Sequence, residues 1–146
     1  MRVDHTILIA DDDKDDLDML NEALKEIASP HRIEFAYNGE EALEKLEELK
    51  KQDELPCLIV LDVNMPKLNG RETLENIRAT ELTKEIPVII FSTASEQHEK
   101  GFYTSYNAQY FEKPFGYKGL ADTVKRFLGI CQQGRESMGE KGFDVK

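Results

Sequence analysis

No stretch of this chain is apolar for long enough to cross a bilayer, and no hydrophobic leader marks its N-terminus. Membrane spanning and secretion are therefore not expected. Cysteine is nearly absent. Cys57 and Cys131 stand far apart and neither belongs to a CxxC pair, so reduced thiols in a cytoplasmic protein are the expectation. Basic charge is also scarce, with 19 Lys and Arg against 29 Asp and Glu, for a net charge of −10. A nucleic-acid surface would need clustered Lys and Arg, so none is expected. Part of the acidic excess is one cluster, Asp11 to Asp18, which bears on metal affinity more than on partners. No internal repeat and no second domain interrupt the 146 residues. The expected organisation is one domain over 1–130 and a disordered or extended tail over 131–146, polar from Gln132 onward with three glycines and no period.

What is present alternates between strand-like and helix-like segments, the pattern of a parallel sheet covered by helices on both faces. Strands are expected at Ile7–Ala10, Ile33–Tyr37, Cys57–Leu61, Pro87–Phe91 and Ala108–Glu112. The third is continuously apolar, as a strand covered on both sides should be. Helical spacing links Leu17, Leu20, Leu24 and Ile27, then Ala42, Leu43, Leu46 and Leu49, then Leu74 and Ile77. Ser29-Pro30 closes the first of these helices, and Asn38-Gly39 opens the second, whose other face is a solvated charge run. The last helix starts near Tyr117 and buries Leu120, Val124, Phe127 and Leu128. Before the fifth strand the helix signal is poor: Gly101 interrupts it, and Phe102 to Tyr106 are residues that disfavour helix. A short or mobile fourth helix is expected there.

Four of the apolar runs stop at polar residues suited to phosphate chemistry. Ile7–Ala10 ends at Asp11-Asp12-Asp13, Cys57–Leu61 at Asp62, Val88–Phe91 at Ser92-Thr93, and Tyr110–Glu112 at Lys113-Pro114. In an open parallel sheet the C-terminal strand ends share one edge, where ligands bind. Three carboxylates, a hydroxyl and an ammonium would then meet, a place to hold a divalent cation and a phosphoryl group. Adjacent carboxylates converging on a third repel one another unless a cation joins them, and Mg2+ needs only two or three protein oxygens beside its waters. A calcium loop is the competing reading, with Asp11, Asp13, Asp15 and Glu22 at loop positions 1, 3, 5 and 12. It fails on Asp16, which stands where that loop needs glycine, and on the strand-like Ile7–Ala10, where it needs a helix. Asp13, Asp15 and Asp16 then serve to enrich a helix N-terminus in negative charge.

Asp11-Asp12, Asp62 followed by Val63-Asn64-Met65-Pro66, Ser92 and Lys113-Pro114 together resemble the receiver domain of two-component response regulators, over roughly residues 5–129. The resemblance implies a flavodoxin-like, doubly wound, five-stranded parallel sheet of order 2-1-3-4-5, an order that comes with the family and not from residue spacing. It implies Asp62 as phosphoacceptor for a phosphohistidine of a sensor histidine kinase or histidine phosphotransfer protein. It implies Mg2+ held by Asp12, by Asp11 through water, by Asp62 and by the Asn64 backbone carbonyl. Ser92 would follow the phosphoryl group, Lys113 would pair with it, and Tyr110 would be an aromatic switch, with half-buried strand packing as its other reading. Lys113-Pro114 is a candidate for a cis peptide.

Two departures stand out. Thr93 occupies a position usually small, so either hydroxyl could contact the phosphate, and Tyr106-Asn107 stands where a glycine usually precedes strand 5. Pro66 to Glu72 and the long second helix resemble stand-alone receivers paired with phytochrome-type or hybrid kinases. Such a protein is not an enzyme in the turnover sense, although it assists its own phosphorylation and dephosphorylation. Its output would pass through protein contacts, including a homodimer through the face of helix 4, strand 5 and helix 5, where Phe102, Tyr103 and Tyr106 either lie exposed or pack inward. Three rivals remain: an aspartyl-phosphate phosphatase of haloacid-dehalogenase type, disfavoured because Asn64 replaces the second acid; a flavin binder, whose phosphate Asp11-Asp12-Asp13 would repel; and a receiver-like interaction module that is not phosphorylated.

Overall fold

Every residue of Thr6–Ala10 is buried, as is every residue of Leu58–Leu61 and Val88–Ser92. Strands this apolar on both sides belong at the centre of a sheet with helices above and below. A computed structural model of the chain, which describes residues 6–27, 31–63, 65, 67–92, 100–114 and 119–132, shows that arrangement. The strands β1 (Thr6–Ala10), β2 (Arg32–Ala36), β3 (Leu58–Leu61), β4 (Val88–Ser92) and β5 (Gln109–Glu112) form one parallel sheet in the order β2-β1-β3-β4-β5. This is the expected flavodoxin-like order. The N-terminal residues 1–5 and residues 133–146 lie outside the described residues, and with them most of the tail expected over 131–146; residues 131 and 132 are helical.

Period-two alternation divides the core into two layers. Leu8, Ala10, Ile59, Leu61, Val88 and Ile90 face α2 (Gly39–Lys51), α3 (Gly70–Ala79) and α4 (Lys100–Ser105). Ile7, Ile9, Leu58, Val60, Ile89 and Phe111 face α1 (Lys14–Glu26) and α5 (residues 119–132). Each of the first three helices begins at a side-chain cap. Asp13 caps α1, Asn38 caps α2, and Asn69 caps α3 in a reciprocal box with Glu72. In α5 Phe127 is fully buried between Phe91 and Phe111, with ring centroids 5.4 and 5.8 Å away. Leu128 is only half-buried, and Cys131 takes the next inward position.

Several expectations change. Tyr37 lies outside β2 and is 45% exposed, because the chain turns there toward the Asn38 cap. The described part of the fourth helix has six residues. Its aromatics are not an exposed patch. Tyr103 is fully buried, while Phe102 and Tyr106 pack half-buried against the same core layer. The missing glycine before β5 is answered by Asn107, which takes φ 61°, the left-handed conformation that asparagine tolerates better than most residues. Arg78 fixes this corner, donating to the carbonyls of Lys84, Ile86, Tyr106 and Asn107. Cys57 and Cys131 are not reduced thiols but a disulfide, with Cα atoms 5.0 Å apart. Sequence separation hid the pairing, since β3 begins beside the last described turn of α5.

Candidate functional site

The register of the sheet decides which polar side chains meet. Ala10 pairs with Leu61 across β1 and β3, so the next residues, Asp11 and Asp62, leave the sheet side by side. Ser92 pairs with Glu112 across β4 and β5, which places Lys113 one step beyond the same edge. Backbone bonds hold these exits. Asp11 N–H donates to Ala36 O at 3.0 Å, Asp62 N–H to Ala10 O at 2.9 Å, and Lys113 N–H to Ser92 O at 2.7 Å. Gly70 closes the loop after β3. A Cβ there would stand 2.5 Å from the Asp62 carbonyl oxygen, so only glycine lets α3 begin this close to the acid.

Asp11 and Asp62 are buried, Asp12 is exposed, and one carboxylate oxygen from each lies within 4.8 Å of the others. Lys113 Nζ stands 2.8 Å from Asp11 Oδ2, 2.9 Å from Asp16 Oδ2 and 3.7 Å from Asp62 Oδ1. The second oxygen of Asp11 accepts from Asp13 N–H at 2.9 Å. Burial pushes the Asp62 carboxyl from 3.8 up to about 7, and the charge of Asp11 adds to the rise while Lys113 opposes it. Burial raises Asp11 as well, against its hydrogen bond from Lys113. Burial also works against the Lys113 ammonium, yet the Asp11 hydrogen bond and the charges of Asp62 and Asp11 leave its pKa raised.

Among the described residues, one ammonium thus faces the carboxylates of Asp11, Asp16 and Asp62, with Asp12 beside them. The donor set of Asp11, Asp12 and Asp62 is all oxygen, part buried and part open to water, which fits a hard divalent cation. The calcium-loop alternative does not survive. Asp13 uses its carboxylate to cap α1, accepting from Asp15 N–H at 2.9 Å and Asp16 N–H at 3.3 Å, and the helix runs on through Glu22.

Ser92 is buried at the end of β4, and Tyr110 is half-buried with its ring centroid 6.3 Å from that of Tyr103. Asn64 and Thr93 lie outside the described residues. The Lys113–Pro114 peptide is trans, not cis. Trans is the lower-energy isomer of an X-Pro bond, and the lysine is aimed by its carboxylate contacts instead. Asp16 is the site residue that sequence reasoning missed, having been assigned to helix-terminus charge alone. Its spacing carried no signal, because Asp12 precedes the Asp13 cap and lies outside α1, so only the fold brings Asp16 to Lys113.

A doubly wound sheet whose edge gathers an acid pair, a strand-end aspartate, a hydroxyl and a lysine defines a class. The chain belongs to the response regulator receiver domain family, which it matches over residues 7–125. It is 32% identical over 129 residues to the response regulator Rcp1 of Synechocystis sp., covering 85% of this chain and 84% of that protein. The crystal structure of the phosphorylated cyanobacterial phytochrome response regulator RcpA is similar with a TM-score of 0.76 at 29% identity, over 84% of this chain and 90% of that one. The Mn2+-bound form of Rcp1 gives a TM-score of 0.70 at 27% identity, over 82% and 88%. The chain spans about half the length, 49% and 48%, of two transcriptional regulators it also matches, the CpxR homolog of Haemophilus influenzae and PhoP of Bacillus subtilis.

Proposed function

We propose that this receiver accepts a phosphoryl group on Asp62 from the phosphohistidine of a sensor histidine kinase or histidine phosphotransfer protein, with Mg2+ as cofactor. The observation that carries the reading is the meeting of Lys113 with Asp11 and Asp62 at one sheet edge, beside the three-carboxylate donor set. Asp11, Asp12 and Asp62 would hold Mg2+, joined by the Asn64 carbonyl on the family's pattern. The ion would supply positive charge to the phosphoryl oxygens.

The chain's own part is positioning and neutralisation. An Asp62 oxygen attacks phosphorus, a P–O bond forms, and the P–N bond to imidazole breaks with its electron pair returning to nitrogen. Attack requires the carboxylate form, so the raised pKa of Asp62 must be offset by positive charge before transfer. Lys113, 3.7 Å from Asp62, is placed to pair with one phosphoryl oxygen, and doing so releases it from Asp11 and Asp16. Ser92 donates to another oxygen, with Thr93 a second hydroxyl for the same task, and Tyr110 turns as space opens beneath it. The face of α4, β5 and α5 then changes its preference for protein partners, a population shift between two arrangements.

Likeness to Rcp1 along most of both chains supports the reading of an Rcp1-like, stand-alone receiver. The phosphohistidine donor supports a cytoplasmic location, in which the Cys57–Cys131 disulfide is an exception to the usual reduced state of thiols; among the described residues no helix is long and apolar enough to cross a membrane. The protein does not turn over substrates as an enzyme but assists reactions at its own Asp62. Incubation with phosphoramidate or acetyl phosphate and Mg2+ should raise the intact mass by one phosphoryl group. Asp62→Asn, or chelation of the metal, should abolish the rise; an unchanged gain in that variant overturns the assignment.

A further inference from the structure

The end of the sheet opposite the acidic edge carries a second cluster of reactive side chains. Cys57 precedes β3, Cys131 lies in the last described turn of α5, and the two are joined as a disulfide. His31, just before β2, completes the group: one imidazole nitrogen and both sulfurs lie within 4.8 Å of one another. The two cysteines differ in access. Cys131 is fully buried in the α1–α5 core layer, whereas Cys57 and His31 are half-buried. Cys57 Sγ also stands 3.4 Å from the Thr6 carbonyl, an acceptor ready for a thiol proton once the bond is opened.

We propose that Cys57, Cys131 and His31 form a thiol–disulfide exchange site, reducible by a protein dithiol, whose state sets how firmly the end of α5 is held to the sheet. Exchange begins at the more accessible sulfur. A thiolate of the reductant attacks Cys57 Sγ, a mixed disulfide forms, and the Cys57–Cys131 bond breaks with its electron pair leaving on Cys131. His31 gives that thiolate a proton, then regains one from the reductant's second thiol. The second thiolate attacks the reductant's sulfur in the mixed disulfide, and that bond breaks with its electron pair leaving on Cys57, which takes a proton from water; the reductant is left oxidised. Two electrons pass from the dithiol to the pair, with one proton from the second thiol by way of His31 and one from water, which replaces the proton the attacking thiol had already shed. Opening the bond removes the covalent tie between the start of β3 and the last described turn of α5, while the apolar contacts of Leu120, Val124 and Phe127 remain. The proposal does not depend on phosphorylation of Asp62.

The experiment uses the full chain purified without reductant and treated with reduced thioredoxin. Non-reducing peptide mapping should show the Cys57–Cys131 link before treatment and none after, with intact mass rising by two hydrogens. Amide hydrogen exchange over residues 119–132 should quicken several-fold on reduction. Cys57→Ser should show the quickened exchange with or without the dithiol; if that variant fails to fold, wild type with both thiols alkylated replaces it. His31→Gln should reach the same reduced end point, with α5 protection unchanged in the oxidised form, but roughly tenfold or more slowly. Equal α5 protection in both redox states, or an unaltered reduction rate in His31→Gln, overturns the proposal. So does stoichiometric Zn2+ retained by the reduced protein and barring reoxidation, which would make the triad a metal site instead.

Discussion

At the scale of single residues the site is a matter of unequal charge. Asp11 and Asp62 are buried with one lysine between them, and burial first, then the charge of Asp11, holds the Asp62 pKa up against the pull of Lys113. Because that pKa rises from 3.8 to about 7, the folded state keeps a proton that the unfolded chain loses across this window. Stability of the metal-free protein should therefore fall as pH rises through it, and the penalty is complete above about pH 7. Asp62→Asn removes the group, so in EDTA at pH 8 it should unfold at higher urea than wild type, by on the order of 2 kcal/mol, with little advantage near pH 4. Saturating Mg2+ should narrow the gap. Lys113→Met tests the partner. It strips the charge from beside Asp11, and in EDTA should cost about 2–4 kcal/mol in urea unfolding. A smaller loss in Mg2+ would show the cation replacing the ammonium.

Among the elements, the junction between β3 and α3 does the most to place the acceptor. The Asn69–Glu72 capping box starts the helix, and Gly70 lets that start press against the Asp62 backbone. Gly70→Ala puts a methyl group where the Asp62 carbonyl already stands, so the loop must move. Stability should drop by about 1–3 kcal/mol, and phosphorylation from phosphoramidate should slow by more than the lost stability explains, because Asp62 shifts. An alanine variant with wild-type phosphorylation kinetics would count against the tight junction. The corner before β5 is built differently. Arg78 ties four carbonyls and Asn107 accepts a positive φ, so the fold is kept there without the glycine.

For the molecule as a whole, the two ends of the sheet are chemically distinct. One edge gathers carboxylates around a lysine; the other is closed by a cross-link between residues 74 apart in sequence. A closure of that length restricts the unfolded chain, and its reduction should lower stability by about 2–4 kcal/mol, read as a fall in the urea midpoint with and without dithiol. Both helices of one layer, α1 and α5, would feel the loss through their shared core.

Much of this architecture is legible in the order of residues alone. Continuous apolar runs, helical spacing and caps such as Asn38 and Asn69 are local properties, carried by neighbours in the chain, so elements and their order can be read directly. The strand-end positions of Asp11, Asp12, Asp62, Ser92 and Lys113 are legible for the same reason. Contacts between distant elements are not. Nothing in the spacing of Cys57 and Cys131 announces that β3 and α5 meet, and composition alone favours free thiols. Nor does helix charge distinguish Asp16 from Asp15; only packing of α1 against the β5 edge brings Asp16, and not Asp15, to Lys113. The aromatics of α4 could face out or in until the neighbouring layer offered a core to fill. Sequence by itself determined the elements, their alternation and the kind of chemistry at the strand ends, because those follow from adjacent residues. Tertiary structure alone decided which charges share the lysine, where the cross-link falls and which rings are buried, because each depends on surfaces that meet only when the layers close.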